Sequence, residues 1–294
     1  MQEFKVYAPA KLNLYLDVVG KRPDGNHNIE TLFEKIDLKD EIVIKESKEG
    51  IKVDVFNSSC PSGEKNIVYK ALVALLNEAD IKLGLEVSIN KKIPVSAGLG
   101  GGSSDAASAL RSVNDKFKLG VPKARLLDIA KGLGKDVPFF MIDEPFAIGT
   151  ECGDELKIID SDISLAHVVI KPDTSISTAL AYSRVDLGKR QKIDKGINKL
   201  ITALKSKDIS SIEKNCYNIF EEALGEDKDN IESIKGQASR DTKKEFFLSG
   251  SGPAIFCIIE GRDMAKAILG NVQKINNMEY FLATTYKGGI YGDN

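Results

Sequence analysis

The 294-residue chain predicts an α+β protein of two domains. Three observations carry that prediction. Strand-type segments dominate the first half and surround one glycine-rich loop, whereas the second half reads as a separate layer of helices and strands. The strand that leads into the loop, Leu85-Glu-Val-Ser-Ile-Asn90, alternates apolar and polar residues. That is the pattern of a half-buried strand; doubly wound parallel folds use continuous apolar ones.

The elements follow in chain order. From Phe4 to Val19 the residues Leu12, Leu14, Leu16 and Val18 alternate with Asn13, Tyr15 and Asp17, which predicts a strand with one buried face, preceded by Ala8-Pro-Ala10. Arg22-Pro-Asp-Gly-Asn26 supplies a turn. Ile42–Ile44 and Ile51–Val55 read as strands. Asn66 to Asn77 reads as a helix with Ile67, Ala71, Ala74 and Leu75 on one face. Pro122 opens another helix at the first-turn position, ended by Gly132 and Gly134. Ala166–Ile170 is a strand closed by Pro172. Three helical stretches are expected between about Ser177 and Arg240. Strands follow at Phe246–Leu248, Ala254–Ile259 and Glu279–Tyr286, with a helix near Met264–Val272.

The glycine loop is Pro94, Val95, Ser96, Ala97, Gly98, Leu99, Gly100, Gly101, Gly102, Ser103 and Ser104. After it, Ser103, Ser104 and Asp105 are cap-type residues, and Ala106, Ala107, Ala109, Leu110 and Val113 give a helix its apolar face. Such a loop aims unpaired N–H groups at one spot beside the positive end of a helix dipole, which is an anion site suited to phosphate. A linker, or glycines needed only for packing, is the plainer alternative. The P-loop pattern needs Gly-Lys before Ser or Thr, and Gly102 is followed directly by Ser103. The dinucleotide fingerprint has Ser103 where it needs its third glycine. The loop is therefore of a third type.

Lysine and arginine number 41 against 43 aspartate and glutamate, a net charge of −2 without a run of one sign. A nucleic-acid groove or polybasic membrane patch is not indicated. Cys60, Cys152, Cys216 and Cys257 are scattered, with two histidines in the chain, so neither a zinc site nor a disulfide framework is expected. With no signal-peptide pattern and no long apolar run, a cytoplasmic chain is expected.

Three further polar spots stand out. Lys11 and Asn13 lie on the polar face of an apolar strand, where a solvated edge is the common explanation. Asp136 precedes Val-Pro, which is also a helix-start pattern. Leu248-Ser-Gly-Ser-Gly-Pro253 is a small-residue loop between strands, which an ordinary hairpin turn would also explain.

In order, Pro9-Ala-Lys-Leu-Asn-Leu14, the 94–104 loop and Leu248-Ser-Gly-Ser-Gly-Pro253 resemble the three motifs of the GHMP kinase superfamily. Arg22-Pro-Asp-Gly-Asn-His27, Thr31-Leu-Phe33, Gly134-Lys-Asp-Val-Pro-Phe-Phe140 and Ser177-Thr-Ala-Leu-Ala-Tyr182 are most similar to one branch of it. That branch phosphorylates the 2-hydroxyl of 4-diphosphocytidyl-2-C-methyl-D-erythritol in non-mevalonate isoprenoid biosynthesis. The match spans about residues 6–260.

The resemblance implies a two-domain fold, ribosomal-S5-like over 1–160 with ATP bound there, and ferredoxin-like over 161–294. It implies ATP with Mg²⁺ (metal ligands unassigned), phosphates on the glycine loop and Asn66 near the adenine. Asp136 matches the catalytic aspartate and Lys11 its partner. Asn13, His27, Phe33, Thr178 and Tyr182 match substrate-binding positions, although Phe33 also has a plain core reading. Ser249, Gly250, Ser251 and Gly252 form the third motif. Small-molecule substrates alone are expected, with no nucleic acid and no membrane, for a monomer or weak homodimer. Two residues depart from the pattern: Asn26 stands where tyrosine is usual, and Glu151 where glycine is common. The rival readings are a GHMP kinase for another alcohol, of homoserine or mevalonate type, and a non-catalytic nucleotide-binding regulator.

Overall fold

The structure, a computed structural model, describes residues 2–188, 196–272, 278–289 and 291. Its elements are β1 (Glu3–Lys21), β2 (His27–Ser47), β3 (Ile51–Phe56), α1 (Ile67–Ala79), β4 (Gly84–Asn90), α2 (Gly101–Lys116), α3 (Lys123–Leu133), α4 (Val137–Phe140), β5 (Phe146–Thr150) and β6 (Glu155–Ile158). Then come β7 (Ala166–Pro172), α5 (Thr178–Arg184), α6 (Ile197–Ser206), α7 (Ile209–Asn215), β8 (Tyr217–Asn218), α8 (Lys228–Thr242), β9 (Phe247–Leu248), β10 (Ile255–Ile259), α9 (Arg262–Val272) and β11 (Met278–Thr284).

Two sheets organise the chain. The larger runs β3-β4-β2-β1-β8, with β5 also pairing β2 and β6 pairing β5; the smaller runs β11-β7-β10-β9. Every strand of the first half is on the larger sheet, but β8 returns to it from the second half, in parallel beside β1 at Leu16 and Asn218. The core has three parts. One lies between the larger sheet and helices α1 to α4, and another between the smaller sheet and helices α5, α8 and α9. The middle cluster joins the sheets: Leu12 and Leu14 of β1 pack with Phe247, Phe256 and Ile258. Each such full burial contributes roughly 1.5–3 kcal/mol, so the two sheets are held together by apolar contact.

Several expectations are revised. The first strand is buried on both faces, not one: Lys11, Asn13 and Asp17 are as buried as the leucines beside them, because separate core clusters pack on its two sides. Ala8-Pro-Ala10 lies inside this strand, with an irregular register between Pro9 and Ala10. Strand β2 begins at His27, far before Ile42, because its charged residues face buried partners that local alternation does not report. Pro122 is the N-cap of α3 and not its first residue. Among the described residues, four α-helices, not three, lie between Ser177 and Thr242, since α6 and α7 are parted by only Lys207 and Asp208. Residues 189–195 of that stretch lie outside the described residues. The 22–26 turn forms as expected, with Arg22 N donating to Asn26 O at 2.8 Å.

Candidate active site

Helix α2 begins at Gly101, capped by Gly100 in the left-handed region at φ +71°. Ser103, Ser104 and Asp105 therefore lie within the first turns and do not cap the helix. The N–H groups of Gly101, Gly102 and Ser103 have no carbonyl to meet within the helix; the first helical bond here is Ser104 N to Gly100 O, at 2.9 Å. Ser96, Gly98, Gly100 and Ser103 line a cavity of about 940 Å³ between the two sheets. Ala97, Leu99 and Ser104 point into the protein, Pro94 is half-buried, and Val95 is exposed.

The glycines serve different purposes. A Cβ on Gly98 would stand 2.0 Å from Ser249 O, and one on Gly100 would meet Lys11 Cγ and the Phe140 ring at 3.0 Å. One on Gly101 would meet Ile93 at 3.1 Å, whereas one on exposed Gly102 meets nothing nearer than Ile67 at 3.8 Å. The first three keep neighbouring protein close. Gly102 alone is exposed and has room for a methyl.

Beneath the loop, Lys91 is clasped by Asp40 and by Asp105 at 2.7 Å, all three buried. Burial works against the Lys91 charge, but Asp105 and Asp40 outweigh it and hold its pKa above the usual value. Burial, with Lys91 opposing and Asp40 adding, pushes the Asp105 carboxyl up to about 8.

The chemistry gathers around Lys11. Its backbone N–H donates to Leu99 O at 2.9 Å, tying β1 to the glycine loop. Its ammonium donates to Asn13 Oδ1 at 2.5 Å and lies 3.5 Å from Asp136 Oδ2. Asn13 is oriented in turn: its Nδ2 donates to Thr31 Oγ1, and Thr31 donates to Tyr15 O, both at 2.7 Å. Lys11 is 4% exposed while Asp136 is 35% exposed and faces the cavity. Asp136 occupies the N-cap position of α4, yet its carboxylate caps nothing. The helix-start pattern thus accounts for where its backbone lies and not for what its side chain does. Lys11 is likewise no solvated edge lysine.

The other end of the cavity is lined by Asn26, His27, Phe33, Thr178 and Tyr182, with Lys21 and Cys152. His27 stacks on Tyr182 with centroids 5.0 Å apart, and Tyr182 and Phe220 are nearly perpendicular with centroids 4.8 Å apart. Burial lowers the His27 pKa, helped by the Lys21 charge. Burial pushes the Tyr182 phenol up to about 12, with the Asp136 charge adding to it. Phe33 is 1% exposed and stacked on Phe139 at 4.7 Å, with Lys11 5.6 Å from its ring: a core residue that floors the cavity. The two unusual residues are joined through Arg22, whose N–H donates to Asn26 O and whose guanidinium pairs with Glu151.

The third motif closes the cleft from the smaller sheet. Gly250, Ser251 and Gly252 line the cavity, Ser251 Oγ is 2.8 Å from Thr178 Oγ1, and Ser249 Oγ donates to Gly98 O at 3.1 Å. Asn66 stands apart from this cavity. It caps α1, accepting from Val68 N at 2.8 Å and donating to Pro61 O at 2.7 Å, so both ends of its amide are engaged. Among the described residues, no group of three or more His, Cys, Asp or Glu side chains could hold a metal ion, and no helix is long and apolar enough to cross a membrane.

Residues 66–144 match the model of the GHMP kinases N terminal domain, and residues 200–277 that of the GHMP kinases C terminal domain. The 4-diphosphocytidyl-2-C-methyl-D-erythritol kinase of Exiguobacterium sibiricum is 35% identical over 276 residues, covering 94% of this chain and 96% of its own. The enzyme of that name from Clostridioides difficile is 36% identical over 294 residues, with 98% and 97% covered. The chain belongs to the 4-diphosphocytidyl-2-C-methyl-D-erythritol kinases. A crystal structure of a 4-(cytidine 5'-diphospho)-2C-methyl-D-erythritol kinase superposes with a TM-score of 0.81 at 28% identity, covering 96% of this chain and 100% of that one. A homoserine kinase from Cytophaga hutchinsonii, at 0.71 and 20% identity, shares the fold. Sequence reading quoted Thr31 only within a motif and Asp105 only as a cap-type residue; that Thr31 orients Asn13, and that Asp105 joins Asp40 and Lys91 under the loop, it missed. Both depend on contacts between different elements, which no local pattern announces.

Proposed function

We propose that the cleft transfers the γ-phosphoryl group of ATP to the 2-hydroxyl of 4-diphosphocytidyl-2-C-methyl-D-erythritol, with Asp136 as base and Lys11 as its cationic partner. The observation that carries this reading is the Lys11–Asp136 pair, 3.5 Å apart beside a glycine-capped helix start. Phosphoryl transfer asks a protein mainly to position two substrates and neutralise charge. The free amides of Gly101, Gly102 and Ser103 suit the ATP phosphates. Asp136 accepts the proton of the attacking hydroxyl as the new O–P bond forms and the bond to the β-phosphate oxygen breaks, releasing ADP. Lys11, fixed by Asn13, pairs with the Asp136 carboxylate and stabilises charge growing on the acceptor oxygen.

Mg²⁺ in such sites keeps several waters and takes substrate phosphate oxygens, with one or two carboxylates from the protein. The donors that line the cavity fit an ion brought in by the nucleotide: Asp136 and the Ser103 hydroxyl would hold it, and it would neutralise phosphate charge. At the far end, a His27 held below its usual pKa is neutral at pH 7, and so offers one donor and one acceptor to a cytosine edge. Tyr182, stacked on His27, supplies the aromatic ring that Asn26 lacks. The division into 1–160 and 161–294 is supported by the change of sheet between β6 and β7. Four free thiols suit the cytoplasm.

The test is ADP release across a panel of alcohols, homoserine, mevalonate and the cytidylated alcohol among them, with wild type and Asp136→Asn. Only the cytidylated alcohol is expected to turn over, and the variant should lose roughly 10²–10⁴-fold in kcat, the range for a general base, while still binding ATP. A variant keeping more than about a third of kcat would remove Asp136 from the chemistry.

A further inference from the structure

The 248–252 loop fixes where the phosphate loop lies. Ser249 donates to Gly98 O, Ala254 N donates to Ala97 O at 3.2 Å, and no side chain could fit between Gly98 and Ser249 O. Its own strands hold it weakly, because β9 and β10 share only two residue pairs. Support comes from behind, from two residues that no motif brought forward.

Asn218 is buried and uses its whole side chain. Its Nδ2 donates to Leu248 O and to Gly250 O, both at 2.8 Å, and its Oδ1 accepts from Phe220 N at 3.0 Å. Three residues on, Glu221 Oε1 accepts from Leu248 N at 2.9 Å, while its other oxygen pairs with Lys235 at 2.7 Å. Asn218 stands on β8 beside Leu16 of β1, the strand that carries Lys11. One side chain therefore references the third loop to the strand bearing the reacting pair.

The peptide plane gives this grip a consequence for chemistry. Gly250–Ser251 is a trans peptide, in which C=O and N–H point opposite ways. Holding Gly250 O inward turns the Ser251 N–H away from Asn218, toward the cavity that Ser251 lines. An amide so fixed is a preorganised donor for an anionic oxygen. A Cβ on Gly250 would lie 3.3 Å from Lys11 Nζ, so that donor borders the ammonium.

We propose that Asn218 and Glu221 are positioning residues for phosphoryl transfer, setting the 248–252 loop so that it registers the phosphate loop and presents the Ser251 amide beside Lys11. The proposal rests on the kinase reading above.

The experiment compares wild type with Asn218→Asp, which keeps the shape but puts an oxygen against two carbonyl oxygens. At pH 8, kcat should fall about 10²-fold, the loss expected for a misplacement of roughly 1 Å, with the KM of the alcohol changed by less than about threefold. A protonated acid regains one donor, so the variant's activity relative to wild type should rise as pH falls toward 6. Should Asn218→Asp fail to fold, Glu221 carries the test. Glu221→Gln keeps an acceptor for Leu248 N and should retain more than about half of kcat, whereas Glu221→Leu should lose about tenfold or more. Equal kcat for Glu221→Gln and Glu221→Leu overturns the proposal. So does Asn218→Asp within about threefold of wild type at pH 8, or a loss that is flat with pH and matched by a lowered melting temperature. If wild type turns over a different alcohol of the panel, the substrate assignment falls, and the same comparison is then made on that alcohol.

Discussion

Replacing Gly102 by alanine should make the protein more stable and a poorer binder of ATP. Gly102 is the second residue of α2, is exposed, and has room for a methyl, the nearest atom being Ile67 Cγ2 at 3.8 Å. Alanine in a helix is favoured over glycine by up to about 1 kcal/mol, so the melting temperature should hold or rise by a few degrees. Cα–Cβ bonds in a helix tilt toward its N-terminus, so the same methyl lies on the side of the first-turn amides. Phosphate oxygens must come within about 2.7–3.2 Å of those nitrogens, and a methyl keeps them at least about 1 Å farther off; losing one or two charge-assisted bonds costs about 1.5–3 kcal/mol each. The Kd for ATP should therefore rise by roughly 10- to 150-fold or more. Gly98→Ala is the contrast. Its methyl would sit 2.0 Å from a backbone oxygen, and its φ of +79° costs an L-residue roughly 1–2 kcal/mol besides, so stability and binding should fall together. Calorimetric titration of ATP with thermal melts reads both variants. A stable Gly102→Ala protein with wild-type ATP affinity would mean that the phosphates do not lie across this turn.

Two further outcomes follow from the same geometry. Tyr182→Ala should raise the KM of the cytidylated alcohol by about 5- to 150-fold, the worth of stacking one base, with the KM of ATP little changed, while Tyr182→Phe keeps the ring and should keep the KM; equal KM values for all three proteins would place the base elsewhere. Lys35, buried over the Phe139 ring, is pushed down to about 7 by burial and then by the Arg111 charge, so the folded state sheds a proton that the unfolded chain keeps to about 10.5. The unfolded state then binds more protons between about pH 7 and 10.5, and stability should climb with pH across that window; Lys35→Met should flatten the climb in denaturant titrations, and an unchanged slope would assign the rise to other groups.

Much of the site could be read from the chain because its parts are local. A run of glycines before an alanine-rich helix reads as an anion-binding turn from local pattern alone, and Lys11 and Asp136 could be named from the short motifs that contain them. Residue types alone left Lys11 open between a solvated and a functional lysine, Asp136 between a cap and a functional carboxylate, and Phe33 between wall and core. Packing separated them: β1 is central and covered by the second sheet, the Asp136 carboxylate caps nothing, and Phe33 is stacked under Lys11.

The glycines show the same division in one stretch. Their number and order are written in the sequence, but which of them makes room for ligand and which for protein is not. Gly98 answers to Ser249, a residue 151 positions away, and Asn218 and Glu221 act on a loop that no spacing along the chain connects to them. Periodicity reports which residues share a face; it carries no record of what that face will meet. The amino-acid sequence by itself determined the glycine turn before α2, the family motifs and most of the strand segments. The pairing of Lys11 with Asp136 across the cleft, and the height at which the third loop meets the first, were decided only when two sheets buried their common core.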